Sequence, residues 1–108
     1  MKKILIFLFL ALSLTVSAEE FVPVENLKGI KANAAKAFPN DYVTQAYVIK
    51  MQKKSYIQIC NFVWDKRVGE KVKDKIITSA FKQFGKNNDF MTMLYVMKTQ
   101  QKSYLKLL

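Results

Sequence analysis

Tyr47, Lys50 and Lys54 recur as Tyr95, Lys98 and Lys102, and Lys106 extends the second set. Steps of three and four residues bring each tyrosine beside its lysines on one side of a helix. Each set is therefore a strip in which ammonium groups flank a phenol ring, a combination suited to holding an anionic partner. Apart from Asp41 and Asp89, residues 41–64 and 89–108 contain no acidic side chain. The strips are thus not neutralised within their own helices. A structural explanation competes with this one. Lysines toward a helix C-terminus suit its dipole, and Tyr47 and Tyr95 would serve as packing residues where two helix pairs meet. Val43, Ala46 and Ile57, matched by Met91, Leu94 and Leu105, flank the strips and favour burial against another surface.

Catalysis finds little foothold in this inventory. Histidine is absent, which removes the usual proton shuttle near neutral pH and the commonest zinc ligand. The one cysteine, Cys60, has no histidine to activate it. Asp41 and Asp89 are better explained as helix caps than as a paired acid and base. There is no Gly-rich phosphate loop and no Ca²⁺-loop pattern. The expectation is a non-enzymatic protein with no catalytic residues, no metal site and no cofactor.

The strips belong to a larger internal repeat. Residues 41–59 align with residues 89–107, and nine of the nineteen positions are identical, where ordinary composition gives roughly one or two. Upstream the register shifts by two residues, pairing Ile30, Ala34, Lys36 and Phe38 with Ile76, Ala80, Lys82 and Phe84. The shift falls where Phe38-Pro-Asn-Asp41 becomes Phe84-Gly-Lys-Asn-Asn-Asp89. Length variation belongs in a turn, so the break in register locates a loop in each copy. Leu27, Ile30, Ala34 and Phe38 lie on one helical face, as do Val72, Ile76, Ala80 and Phe84. The fold expected is all-α: two tandem antiparallel helical hairpins, four helices in all, over about 24–64 and 70–108, with Asp65–Gly69 as linker.

Residues 1–18 stand apart from that domain. Lys2 and Lys3 precede an apolar run from Ile4 to Val16, and Val16-Ser-Ala18 offers small residues to a signal peptidase. The run is shorter than the roughly twenty residues a membrane helix needs. A cleaved signal peptide of bacterial type is expected, giving an exported, periplasmic or secreted product with no transmembrane helix. Residues 19–108 then form one domain carrying 16 basic and 8 acidic residues, a net charge of +8. A lone cysteine cannot staple its own chain, so Cys60 is either buried or open to an intermolecular disulfide, and its apolar character favours burial.

Winding the second helix at about 100° per residue puts Tyr42, Thr44, Val48, Ile49, Gln52, Ser55, Tyr56 and Ile59 on one side. Phe90, Thr92, Val96, Met97, Gln100, Ser103, Tyr104 and Leu107 are their counterparts. This is the expected core face. Gln52, Ser55, Gln100 and Ser103 form its polar members, and they need partners because an unpaired buried amide or hydroxyl costs about 1–3 kcal/mol. A backbone group at the facing turn, or a tyrosine hydroxyl, would serve the glutamines.

Three binding roles fit these features. The first is an interaction module, of the inhibitor or immunity type, whose basic strips engage an acidic protein or an anionic envelope component. The second is a periplasmic chaperone that uses Met91, Met93 and Met97 with Tyr47 and Tyr95 as an adaptable patch. The third is membrane-surface association through the fourth helix, which would compete with the core for the same apolar residues. A nucleic-acid partner is not expected in an exported protein. The oligomeric state is left open by these residues.

Overall fold

A computed structural model describes residues 22–108; the leader expected over residues 1–18 lies outside the described residues. These fold into four α-helices: α1 (Val24–Ala37), α2 (Tyr42–Cys60), α3 (Glu70–Gln83) and α4 (Phe90–Lys106). A 3₁₀ turn, Gly85–Asn87, precedes α4, and there is no strand among the described residues. None of these helices is long and apolar enough to cross a membrane. α1 packs on α2, α3 on α4, and the broadest contact joins α2 to α4.

Local chemistry sets the helix ends. Pro23, whose fixed φ suits a helix entry, accepts the first intrahelical bond from the Leu27 N–H at 2.9 Å. Phe38 closes α1 by donating its N–H to Ala34 O, and Phe84 closes α3 in the same way on Ala80 O. Asn40 and Asn88 then adopt the left-handed conformation, each with φ 63°; asparagine tolerates that region better than most residues with a Cβ. The next residue in each copy is an N-cap. Asp41 accepts from the Thr44 N–H at 3.1 Å and Asp89 from the Thr92 N–H at 3.2 Å, satisfying donors that the helix leaves unpaired. The Thr44 side chain and N–H hold the Asp41 carboxyl below its ordinary value.

The core gathers where the C-terminal part of α2 meets the N-terminal part of α4. From α2 come Tyr56, Ile59 and Cys60; from α4, Phe90, Met93, Leu94 and Met97; Ile30, Ile76, Ile77 and Ala80 close the sides. The rings of Tyr56 and Phe90 meet edge to face, 5.0 Å between centroids. Gly85 is packed so tightly that a Cβ there would sit 2.6 Å from the Met93 sulfur and 2.7 Å from Phe81.

This arrangement corrects the expected core face. Both halves of α2 and α4 were expected to share the burial, yet Tyr42 is 71% exposed while its counterpart Phe90 is 3% exposed. At the other end Ile59 is buried and its counterpart Leu107 is 83% exposed. Gln100 and Ser103, expected among the polar core residues, are also exposed. Periodicity assigns a residue to a side of its own helix; whether another element covers that side is a tertiary matter.

Candidate functional site

The strip residues occupy open positions on α2 and α4. Tyr47 and Tyr95 are 61% and 68% exposed, so neither packs between the helix pairs as the structural explanation requires. Lys50, Lys54, Lys98, Lys102 and Lys106 are exposed as well. Among the described residues the ion pairs are Arg67–Asp65 at 3.0 Å and Lys73–Glu70 at 3.3 Å, and neither involves a strip lysine. The strips therefore present uncompensated positive charge with an aromatic ring at each N-terminal end. The flanking residues divide. Val43 and Ala46 are exposed, Ile57 and Leu105 are half-buried, and Leu94 is buried in the core.

The methionine patch expected for client binding does not exist as a surface. Met93 and Met97 are each 1% exposed, which leaves only Met91 in solvent. Both point into the core because α4 steps through Phe90, Met93, Leu94 and Met97 at helical spacing on its covered side.

Beside the strips lies a polar junction between α2 and the start of α4. The Gln52 amide donates to Asp89 Oδ1 at 3.1 Å and its carbonyl accepts from the Met91 N–H at 2.9 Å. One side chain thus joins the cap residue and an unpaired N–H in the first turn of α4. Ser55, a turn farther along, is buried. Among the described residues no equivalent link forms at Gln100, so the polar positions of the two copies are used unequally.

Three further contacts escaped the sequence reading. Asn26 Nδ2 donates to Asn88 Oδ1 at 2.8 Å, and Asn33 Nδ2 donates to Asn87 O at 2.9 Å. These asparagines are two turns apart on α1 and both reach the second loop, over Gly29, which packs directly against the Asn88 side chain. Gln101 accepts from the Asp65 N–H at 2.7 Å and pins the segment between α2 and α3. The one available signal was the two-residue extension of the second loop, which sets Asn87 ahead of Asn88, the counterpart of Asn40, as a further group to be bonded.

The reactive inventory is sealed or isolated. Cys60 is buried and free of a disulfide, and desolvation pushes its thiol up to about 11, away from the thiolate that a nucleophile needs. Burial also raises the phenol of Tyr56, helped by the neighbouring Cys60 thiol, yet that thiol does not meet hydrogen-bond geometry and the hydroxyl has no partner among the described residues. The described residues include no cluster of three or more potential metal-ligating side chains of the His, Cys, Asp or Glu type. A shallow groove of about 250 Å³ lies against Ile30, Phe38, Val48, Gln52 and Asp89, adjoining the junction. No protein-family model, curated protein or solved structure matches this chain.

Proposed function

We propose that this chain is an exported, non-enzymatic binding protein, a duplicated helical hairpin in tandem, which engages an acidic envelope protein through its two Tyr-Lys-Lys strips in the manner of an inhibitor or immunity protein. The observation that carries this reading is that Tyr47, Lys50, Lys54, Tyr95, Lys98, Lys102 and Lys106 all stand in solvent with no carboxylate paired to them among the described residues. Exposed like charges repel one another and weaken the fold slightly. A partner surface rich in Asp and Glu removes that repulsion, and the two tyrosines supply rigid contact area where the charges alone would give only a loose encounter.

The test replaces Lys50, Lys54, Lys98 and Lys102 together with glutamine and follows capture of envelope proteins at low and high salt. Each exposed lysine contributes up to about 1 kcal/mol, so the fourfold variant loses on the order of 100-fold in affinity at low salt and most of its salt dependence. Helix content stays the same. Retention of an undiminished, salt-sensitive partner by the variant refutes the assignment, and salt-sensitive binding to phosphatidylglycerol vesicles in place of any protein redirects it to the lipid surface.

A further inference from the structure

The two copies of the repeat are used at opposite ends. At the internal junction the first copy offers Gln52 and Tyr56, and the second receives them with Asp89, Phe90 and Met91. The repeat supplies the same groups once more on each side. Gln100 and Tyr104 are the counterparts of Gln52 and Tyr56, while Asp41, Tyr42 and Val43 are the counterparts of Asp89, Phe90 and Met91. Gln100 is exposed and Tyr104 half-covered at one end, and Tyr42 and Val43 are 71% and 83% exposed at the other. The receiving end is already shaped. Asn40 and Asn88 share the same left-handed turn, and Asp41 and Asp89 share the same cap geometry.

A two-fold relation between the copies would have set Gln100 against Asp41 just as Gln52 meets Asp89, and both junctions would be closed within the chain. Only one is. The relation is therefore a progression, which leaves one donor face and one receiver face free, and a progression continues into another molecule. We infer that a second copy of this chain docks head to tail, the Gln100 and Tyr104 face of one molecule taking the Asp41–Val43 end of the next and extending the internal junction. Gln100 Nε2 then donates to Asp41 Oδ1, its carbonyl accepts the Val43 N–H, and the ring of Tyr104 meets that of Tyr42.

The outer junction is weaker than the inner one for stated reasons. Val72 and Lys75 stand where Asn26 and Gly29 receive Asn88, and Gln45 and Ala46 stand where Met93 and Leu94 enlarge the core. The docking keeps its α4 contacts and loses most of those that α1 makes inside the chain. A dissociation constant on the order of 100 μM to 1 mM corresponds to such a small, partly polar contact. Net positive charge opposes it at low salt, so association strengthens as salt rises, opposite to the binding of an anionic partner by the lysine strips.

Sedimentation velocity on the mature protein from 10 μM to 2 mM, in 0.5 M NaCl, tests the inference. The expected result is a concentration-dependent series that passes beyond the dimer. Gln100→Glu sets a carboxylate against Asp41, and Tyr42→Ala with Val43→Glu removes the receiving surface; each change weakens association at least tenfold. All three residues are exposed, so far-UV circular dichroism and melting midpoint stay close to those of the parent. Mixing the two variants one to one restores a dimer and nothing larger, because each retains the face that the other lacks. A single monomeric species throughout the range overturns the inference, as does association that both variants preserve or a mixture that stays monomeric while the parent associates.

Discussion

Gln52→Ala separates the inner junction from its unused twin. The substitution removes one hydrogen bond to the Asp89 carboxylate at 3.1 Å and one from the Met91 N–H at 2.9 Å. Fully buried, such a pair is worth about 2–4 kcal/mol, since a bond to a charged group contributes about 1.5–3 and a neutral one about 0.5–1.5. Gln52 is half-buried, and water recovers part of both bonds. A loss of about 1.5 kcal/mol remains, equivalent to roughly 6–12 °C in melting midpoint for a domain of this size. Gln100→Ala removes the same side chain from an exposed site and costs within about 0.5 kcal/mol. Urea unfolding followed at 222 nm, at a few micromolar protein where self-association is absent, measures both. A cycle with Asp89→Ala, which also removes the cap, shows a coupling of about 1 kcal/mol to Gln52. Equal losses for the two glutamine variants, or no coupling to Asp89, refute the reasoning that the copies are used unequally.

Gly29→Ala gains about 1 kcal/mol of helix propensity but drives a Cβ into the Asn88 side chain and breaks its bond to Asn26. A net loss of about 1 kcal/mol is expected in urea midpoint, and Asn88→Gly in the same background, which suits φ 63°, recovers most of it. Tyr56→Phe deletes a buried hydroxyl that has no partner, so the variant is more stable by about 1 kcal/mol; a measured loss would contradict the unpaired geometry. The Cys60 thiol ionises near 9 when unfolded and about 11 when folded, so its contribution to stability is complete below pH 9 and is lost as pH rises through 11. Iodoacetamide at pH 8 accordingly labels the native protein at least 100-fold more slowly than the urea-unfolded chain. The Arg67 side chain and N–H hold the half-buried Asp65 carboxyl down at about 2, so carbon-detected NMR shows it titrating last as acid is added, and Arg67→Ala returns it toward 3.8.

The ends of the helices were legible in the sequence because they are local. Phe38 and Phe84 close α1 and α3, and Asp41 and Asp89 open the helices that follow, each by a bond within three or four residues of itself. The shift in repeat register likewise marked the second loop, where the extra residues make the 3₁₀ turn. Gln52 was legible in kind, as an amide seeking a facing turn. Its inequality with Gln100 was not, because a helical wheel is blind to which end of a helix a neighbour covers. Asn26 and Asn33 escaped for a related reason: nothing in the sequence of α1 marks a polar residue over which a distant loop will fold. Met93 was misplaced onto a surface because the covered side of α4 extends farther round the helix than the expected core face, whereas Leu94 was expected to be covered and is.

The differences between the copies follow the burial. Where α4 is covered the chain carries Phe90, Met93, Leu94 and Met97; the matching positions of α2 hold Tyr42, Gln45, Ala46 and Ile49, the first and third exposed, the others half-buried. Covering a Leu in place of an Ala adds roughly 2 kcal/mol, so the covered copy gains from each enlargement and the uncovered one does not. Packing therefore explains why these positions have parted, but it cannot explain why others have not. Tyr47 and Tyr95, Lys50 and Lys98, and Lys54 and Lys102 remain identical although all six are exposed and substitution there costs little. Helix propensity would accept arginine, glutamine or glutamate as readily as lysine. Glutamate at even one of these six positions would place a carboxylate within the strip and cancel part of its field, and none of the six positions holds one. The proposed contact with an acidic partner accounts for this identity, and the lysine-to-glutamine variant measures that requirement directly.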